Sequence, residues 1–362
     1  VTSKRVLFGL AVSGLFIGFF LYRVDLTEMV RALAGADYRF IIPGVLLYLL
    51  SMMLRTLRWR TVLTPLGRFP VVRVWPVVIV GYAANNLLPV RLGELVRAYF
   101  LGYREGVSKT GALATILVER AFDGLILLFL AALVSLFLPV AGLVRGLGEQ
   151  IHVNWLVLTL GLTLPFVAAT GAFITLAARP EVVAPLVSRL LGLLPQGVQG
   201  RAKQMTGRFL DGFSALRTPR GVATVFLLSL PVWLAEALVY WVLALGFGMD
   251  AVYGHALTLA GVLVLMLATS NLGTAIPSSA GGVGPFEFFT QATLIFFGVA
   301  SATASAYALV LHATLLIPVT LLGLVYLWAG DQSLIGLLRA SQGPEAPAAA
   351  ETASRPDEES LG

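Results

Sequence analysis

VWPVVIVGYAANNLLPVRLGELVR, residues 74–97, opens as an apolar run of the kind that crosses a membrane and stops short of finishing. At residues 74–89 the run is only 16 residues long, and it ends on two side-chain amides, Asn85 and Asn86, and Pro89. A full span needs about 20 apolar residues to cross a hydrocarbon core roughly 30 Å thick. The residue before a proline is pushed toward extended backbone, so a helix is expected to break there. Basic segments flank the run, with Arg58, Arg60, Arg68 and Arg73 before it and Arg91 to Lys109 after it. By the positive-inside rule both flanks are cytoplasmic. The chain is therefore expected to enter from the cytoplasm, turn near Asn85–Pro89 and return through the amphipathic GELVRAYFLGY, a re-entrant hairpin. Non-helical backbone at that depth is tolerated only where protein buries it or it lines a water-filled cavity. A cavity is implied.

Outward from that stretch, the chain has 362 residues, 58% hydrophobic and 12% charged, with a mean hydropathy of +0.88. Such a composition excludes a soluble globule with a polar shell. Apolar runs starting near Lys4 and covering about 39–57, 111–137, 154–178, 222–246 and 303–328 read as full spans, the first of them uncleaved. A second interrupted run, NLGTAIPSSAGGVGPFEFF at 271–289, reads as the turn of another hairpin over about 256–298, entering from the opposite face. The expected fold is an all-α, polytopic integral membrane helical bundle, with about six full spans and two broken or re-entrant hairpins meeting near the midplane. Two such hairpins are the sequence-level pointer to a transporter's binding site.

Residues 1–340 form one transmembrane domain on this reading, and the Pro-, Ala- and Glu-rich 341–362 is expected to be a disordered tail. Within 198–216, Val198, Ala202, Met205, Phe209, Phe213 and Leu216 recur at helical spacing. They predict a cytoplasmic amphipathic helix lying on the membrane or against the bundle. The net charge of +6 is a topology signal and needs no nucleic acid. Both termini are expected in the cytoplasm and the protein in the plasma (cytoplasmic) membrane. There are no cysteines, which excludes disulfides and thiolate chemistry.

Charges inside the apolar runs are the candidate site. Glu119, Arg120 and Asp123 lie about 12 to 18 Å along their span at about 1.5 Å per residue, near mid-bilayer. Each would cost about 2.5 to 3.5 kcal/mol facing lipid. Glu119 and Asp123 share a helical face, and Arg120 reaches Asp123 at i,i+3. Arg91, Glu94 and Arg97 form a ladder at spacing 3 beside Asn85, Asn86, Pro89 and Gly93, which reads as a polar site wall or an interfacial helix with snorkelling arginines. The guanidinium fork suits phosphate, and the buried acids are the alternative partners of Arg91 and Arg97. Arg55, Arg58 and Trp59 close the second span as an aromatic and basic belt or a phosphate contact. Glu236 and Glu287 are isolated acids in apolar context, each able to satisfy an arginine or carry a proton. Gly281, Gly282 and Gly284, after Pro277, permit tight turns or close approach to a ligand. His152, His255 and His312 are far apart, and neither H-E-x-x-H nor G-x-S-x-G occurs, so no catalytic residue, metal or cofactor is expected.

Four motifs in order, LRTLRW (54–59), GYAANNLLPVRLGELVR (81–97), ERAFD (119–123) and IPSSAGGVGPFE (276–287), resemble the flippase-like family named for the transmembrane region of lysylphosphatidylglycerol synthase, the multiple peptide resistance factor. The resemblance covers nearly all of residues 4–330. It implies an all-helical bundle with broken helices that moves a lipid, often an anionic or aminoacylated phospholipid, between leaflets. The family's motif positions fall on Arg55, Arg58, Trp59, Asn85, Pro89, Arg91, Gly93, Glu94, Arg97, Glu119, Arg120, Asp123, Pro277, Gly281, Gly282, Gly284 and Glu287. A soluble synthase domain is not expected here, which leaves the lipid identity open. The functional expectation is a lipid transporter whose arginines attract phosphate and whose acids hold the arginines or bind a cationic headgroup. Expected partners are membrane phospholipids with anionic headgroups, without nucleic acid and with a homo-oligomer allowed. The alternatives are a membrane-embedded transferase or accessory protein acting on polyprenyl-phosphate-linked sugars, and a structural scaffold.

Overall fold

The computed structural model describes residues 3–22, 24–88, 92–139, 196–276 and 278–330, with isolated positions between 142 and 175. The expected span at 154–178, the tail at 341–362, Pro89, Arg91 and Pro277 lie wholly or largely outside the described residues.

All regular structure among the described residues is helical. In chain order the helices are α1 (Ser3–Tyr22), α2 (Leu26–Gly35), α3 (Ile41–Val62), α4 (Val71–Leu87), α5 (Gly93–Glu105) and α6 (Lys109–Val134). They continue with α7 (Gln196–Asp211), α8 (Pro219–Gly246), α9 (Ala256–Gly273), α10 (Pro285–Phe296) and α11 (Ser301–Ala329). Local signals set many of the ends. The Asp25 side chain caps α2 by accepting from the backbone of Thr27 and Glu28, Ser108 caps α6 and Thr218 caps α8. Leu88, just before Pro89, is extended (φ −107°, ψ 138°), which stops α4 where the sequence says it must.

Four described helices are long and apolar enough to cross a membrane: α3 with its preceding turn (Tyr38–Val62), α8, α9 and α11. A fifth arises if α1 and α2, bent by 85° from one another, count as one broken span. The protein is a multi-pass membrane helical bundle. The expected count of six full spans is met only in part. α6 matches the others in length but carries Glu119, Arg120 and Asp123. α9, expected as one arm of a hairpin, has the length and composition of a span in its own right.

Each interrupted run yields two helices that pack on one another. α4 packs along α5, α9 packs along α10, and the turn of the second hairpin rests on α4. α4 also lies along α11, and α3 along α8. Small residues make these crossings close. A Cβ on Gly323 of α11 would come within 2.3 Å of Ala83 Cβ on α4. α7 packs against α6, although Met205 of the expected apolar stripe stays exposed, so the helix turns a slightly different face to the bundle.

Two apolar cores result. One gathers Tyr48 and Met52 of α3, Ile126 and Leu127 of α6 and much of α8 to α11. The other gathers Trp59 and Val62 of α3, Ile116 and Phe122 of α6 and the α4–α5 hairpin. Along both α3 and α6 the change from one core to the other falls at the ionised residues.

Candidate functional site

Helical spacing puts Arg55 and Arg58 on one face of α3, and Glu119 and Asp123 on one face of α6. The two faces meet. Arg58 has no exposed surface; its Nη1 donates to Asp123 Oδ1 at 2.6 Å and Ser229 Oγ at 2.9 Å, and its Nη2 to Glu119 Oε1 at 3.3 Å. Arg55 Nη2 donates to Glu236 Oε2 on α8 at 2.5 Å, while its Nη1 lies 3.7 Å from Asp123 Oδ2. Arg97 of α5 places Nη2 2.7 Å from Glu119 Oε2 and stacks its guanidinium 3.6 Å above the Trp59 ring. Arg120 Nη2 lies 3.1 Å from Asp123 Oδ2 and donates to Tyr82 Oη at 2.9 Å. Trp233 Nε1 gives Asp123 a further bond at 3.1 Å. Arg55, Arg58, Arg97 and Arg120 thus face Glu119, Asp123 and Glu236, a surplus of one positive charge that half-buried Glu94 offsets. The ions face one another inside the bundle, which avoids the cost of facing lipid.

The cluster opens at one edge into a narrow cleft lined by Tyr82, Asn85, Glu94, Arg97, Ile116 and Arg120. Gly81 and Gly93 let α4 and α5 close behind it. A Cβ on Gly93 would lie 2.2 Å from Gly81 O. Asn85 then fixes the hairpin, its Oδ1 accepting from Gly93 N–H at 2.8 Å and its Nδ2 donating to Glu94 Oε1 at 3.2 Å. Glu94 Oε2 and the Nε atoms of Arg97 and Arg120, residues that line this cleft, are buried with no hydrogen-bond partner among the described residues, as are the Nε atoms of Arg55 and Arg58 deeper in the cluster. Buried polar atoms are normally paired, and ones left over beside a cleft point to a partner supplied from outside. Two guanidinium groups and a carboxylate can hold an anionic phosphate and a cationic group side by side.

A second polar group lies at the turn of the α9–α10 hairpin. Gly281, Gly282 and Gly284 all have positive φ (70°, 76° and 101°), where other residues are strained. Glu287 accepts from Gly284 N–H at 2.7 Å through Oε2, and its Oε1 lies 2.5 Å from His312 Nδ1 on α11. His312 Nε2 lies 3.1 Å from Gly281 O, and Phe286 stacks on the imidazole at 4.2 Å. Asn86, at the tip of the first hairpin, bonds to Leu316 O and Thr320 Oγ1 of α11 beside this turn.

The residues singled out in the sequence therefore divide in two. Arg55, Arg58, Trp59, Asn85, Gly93, Glu94, Arg97, Glu119, Arg120, Asp123 and Glu236 gather at the charge cluster and its cleft. Asn86, Gly281, Gly282, Gly284 and Glu287 gather at the second hairpin's turn. The Arg120–Asp123 contact is as the spacing predicts. Arg97 pairs with buried Glu119, so the Glu94 ladder is replaced by the alternative partner. Arg55 and Arg58 face acids of the interior and not an interfacial belt, because α3 runs on to Val62 and carries them inside. Tyr82, Thr115, whose Oγ1 accepts from Trp59 Nε1 at 3.0 Å, Ser229, Trp233 and His312 were not foreseen. Tyr82 and Trp233 sit one turn before Asn85 and Glu236 on the same faces, a signal that was present; His312 signals only as an ionisable group in an apolar span.

A family model described as the lysylphosphatidylglycerol synthase TM region matches residues 6–323. Among curated proteins, the chain is 27% identical over 329 residues to glycosyltransferase AglD of Haloferax volcanii, covering 84% of this chain and 51% of that protein. The chain thus spans about half the length of that relative. A UPF0104 membrane protein of Methanocaldococcus jannaschii is 24% identical over 289 residues, 76% of this chain and 82% of that one. Another, of Pyrococcus horikoshii, is 25% identical over 300 residues, 78% of this chain and 85% of that one. No solved structure matches the chain.

Proposed function

The chain belongs to the lysylphosphatidylglycerol synthase transmembrane-region family, and from that premise we propose that it moves a phosphate-bearing lipid headgroup between leaflets through the α4–α5 cleft. One observation supports the reading: Glu94, Arg97 and Arg120 line one cleft in a membrane bundle, and Glu94 Oε2 and the Nε atoms of both arginines have no hydrogen-bond partner among the described residues. The arginines would take the lipid phosphate, and Glu94 the cationic part of an aminoacylated or amine headgroup. The acyl chains would stay in the bilayer. The basic segments around the first hairpin favour a cytoplasmic-membrane orientation with that hairpin entering from the cytoplasm.

Native mass spectrometry of the purified protein, delipidated and offered phosphatidylglycerol against phosphatidylcholine, tests this reading. Preferential retention of the anionic lipid, lost in Arg97→Gln, is expected. Equal retention of both lipids, unchanged by the substitution, would sink the reading. The name of the Haloferax volcanii relative favours a second reading, in which the same cleft takes the phosphate of a polyprenyl-linked sugar for a transfer reaction. Divalent-metal-dependent transfer of a labelled sugar by the pure protein would select it.

A further inference from the structure

Among the described residues, His312 touches two groups that only accept hydrogen bonds, or that accept when ionised. The Gly281 carbonyl, 3.1 Å from Nε2, can only accept, so a hydrogen bond there requires a proton on that nitrogen. The Glu287 carboxyl, 2.5 Å from Nδ1, then either accepts a second imidazole proton or carries that proton itself and donates it. In both forms the pair holds one proton more than a neutral imidazole beside a carboxylate, the state the two groups prefer when apart near neutral pH. Both side chains are largely buried, at 8% exposed.

We propose that the Glu287–His312 pair is a proton-binding site whose occupancy holds the glycine turn at residues 279–284 shut. When the proton leaves, one of the two contacts becomes acceptor against acceptor and breaks. Gly281, Gly282 and Gly284 give the turn the backbone freedom to move once released. What remains is the Ser13 hydroxyl, which accepts from Ser279 N–H and donates to Val283 O, and the Gly284 bond to Glu287. The turn lies on α4 beside Asn86, one residue from the Asn85 that fixes Glu94.

No other charge shares this proton among the described residues. α9 carries no ionisable residue, α10 only Glu287 and α11 only His312 and the remote Tyr307 and Tyr326. Of the packed neighbours, α1 has Lys4 and Arg5 in its first turn, and α2 pairs Glu28 with Arg31. Arg55 and Arg58 of α3 and Glu236 of α8 belong to the charge cluster, and Arg73 of α4 pairs with Glu105.

The absence of cysteine makes a single Ala280→Cys a unique reporter of the turn. Glu287→Gln is the matched control. Its amide NH₂ donates to Nδ1 and its carbonyl accepts from Gly284, which mimics the protonated pair without a carboxyl to titrate. The maleimide labelling rate of Ala280→Cys in the otherwise native chain, divided by the rate in Glu287→Gln at the same pH, cancels the thiol's own titration. The ratio is expected to rise from near one at about pH 5 to about tenfold at about pH 8, as the cost of an unpaired buried group is released. His312→Ala is expected to label fast throughout. A flat ratio across that range, or slow labelling of monodisperse His312→Ala protein, overturns the proposal. The assay involves no lipid movement, so its outcome is separate from that of the translocation reading.

Discussion

Removing Asp123 and Arg58 together should damage this protein less than the sum of removing each alone. Asp123 is met by Arg58 at 2.6 Å, Trp233 at 3.1 Å, Arg120 at 3.1 Å and Arg55 at 3.7 Å, in a site 5% exposed. Asp123→Ala leaves the four arginines facing Glu119, Glu236 and Glu94, one uncompensated positive charge in the bundle interior. Breaking a buried pair from one side costs about 3–5 kcal/mol. At about 2–4 °C per kcal/mol for domains of about 150–250 residues, and less for a larger chain, the melting temperature should fall by roughly 5–15 °C. Arg58→Met carries a similar penalty and leaves an uncompensated charge of the opposite sign, since Glu119 keeps Arg97 but Asp123 loses its shortest contact. The double variant restores the balance and should recover at least about 1–3 kcal/mol relative to the summed singles. Thermal unfolding of the four proteins in detergent, followed by tryptophan fluorescence and gel-filtration profile, reads the cycle. A melting point for Asp123→Ala within about 1 °C of the parent, or strict additivity in the double variant, would refute the view that these charges are mutually compensated.

Gly93→Ala puts a methyl 2.2 Å from Gly81 O and should cost about 1–3 kcal/mol by forcing α4 and α5 apart, whereas Gly14→Ala, with nothing within 4 Å, should be neutral or slightly stabilising. Comparison of their melting temperatures checks both. Glu94→Gln keeps an acceptor for Asn85 but removes the charge that offsets the fourth arginine, and should cost about 1–3 kcal/mol. It should selectively reduce movement of lipids with a cationic headgroup, while lipids bearing only phosphate are still carried; equal loss of both in a leaflet assay would remove Glu94 from headgroup recognition.

Much of this architecture was legible because membrane rules are strict. The short apolar run at 74–89, ending before a proline, marked where α4 stops, and the glycines of 281–284 marked the break between α9 and α10. Span counting went less well. The run at 256–273 was read as a hairpin arm because glycines and a proline follow it, yet α9 has the length and composition of a span. Arg55 and Arg58 were misplaced for a different reason. Their place near the end of an apolar run reads as an interface, and only the acids of α6 and α8, more than 60 residues away in sequence, reveal them as interior. Glu287 was flagged as an acid able to carry a proton, but its histidine lies on another helix, which no local pattern indicates.

The most direct measurement of the central claim is leaflet accessibility of fluorescent anionic and zwitterionic phospholipids in vesicles containing the purified protein, with Arg120→Ala beside it. Arg120 is the most exposed of the four arginines, at 32% of its side chain, and Asp123 keeps Arg58 when it is removed. Faster exchange of the anionic lipid, lost in a folded Arg120→Ala protein, is the predicted result. No exchange of either lipid by well-folded parent protein, with or without an imposed proton gradient, would contradict the account.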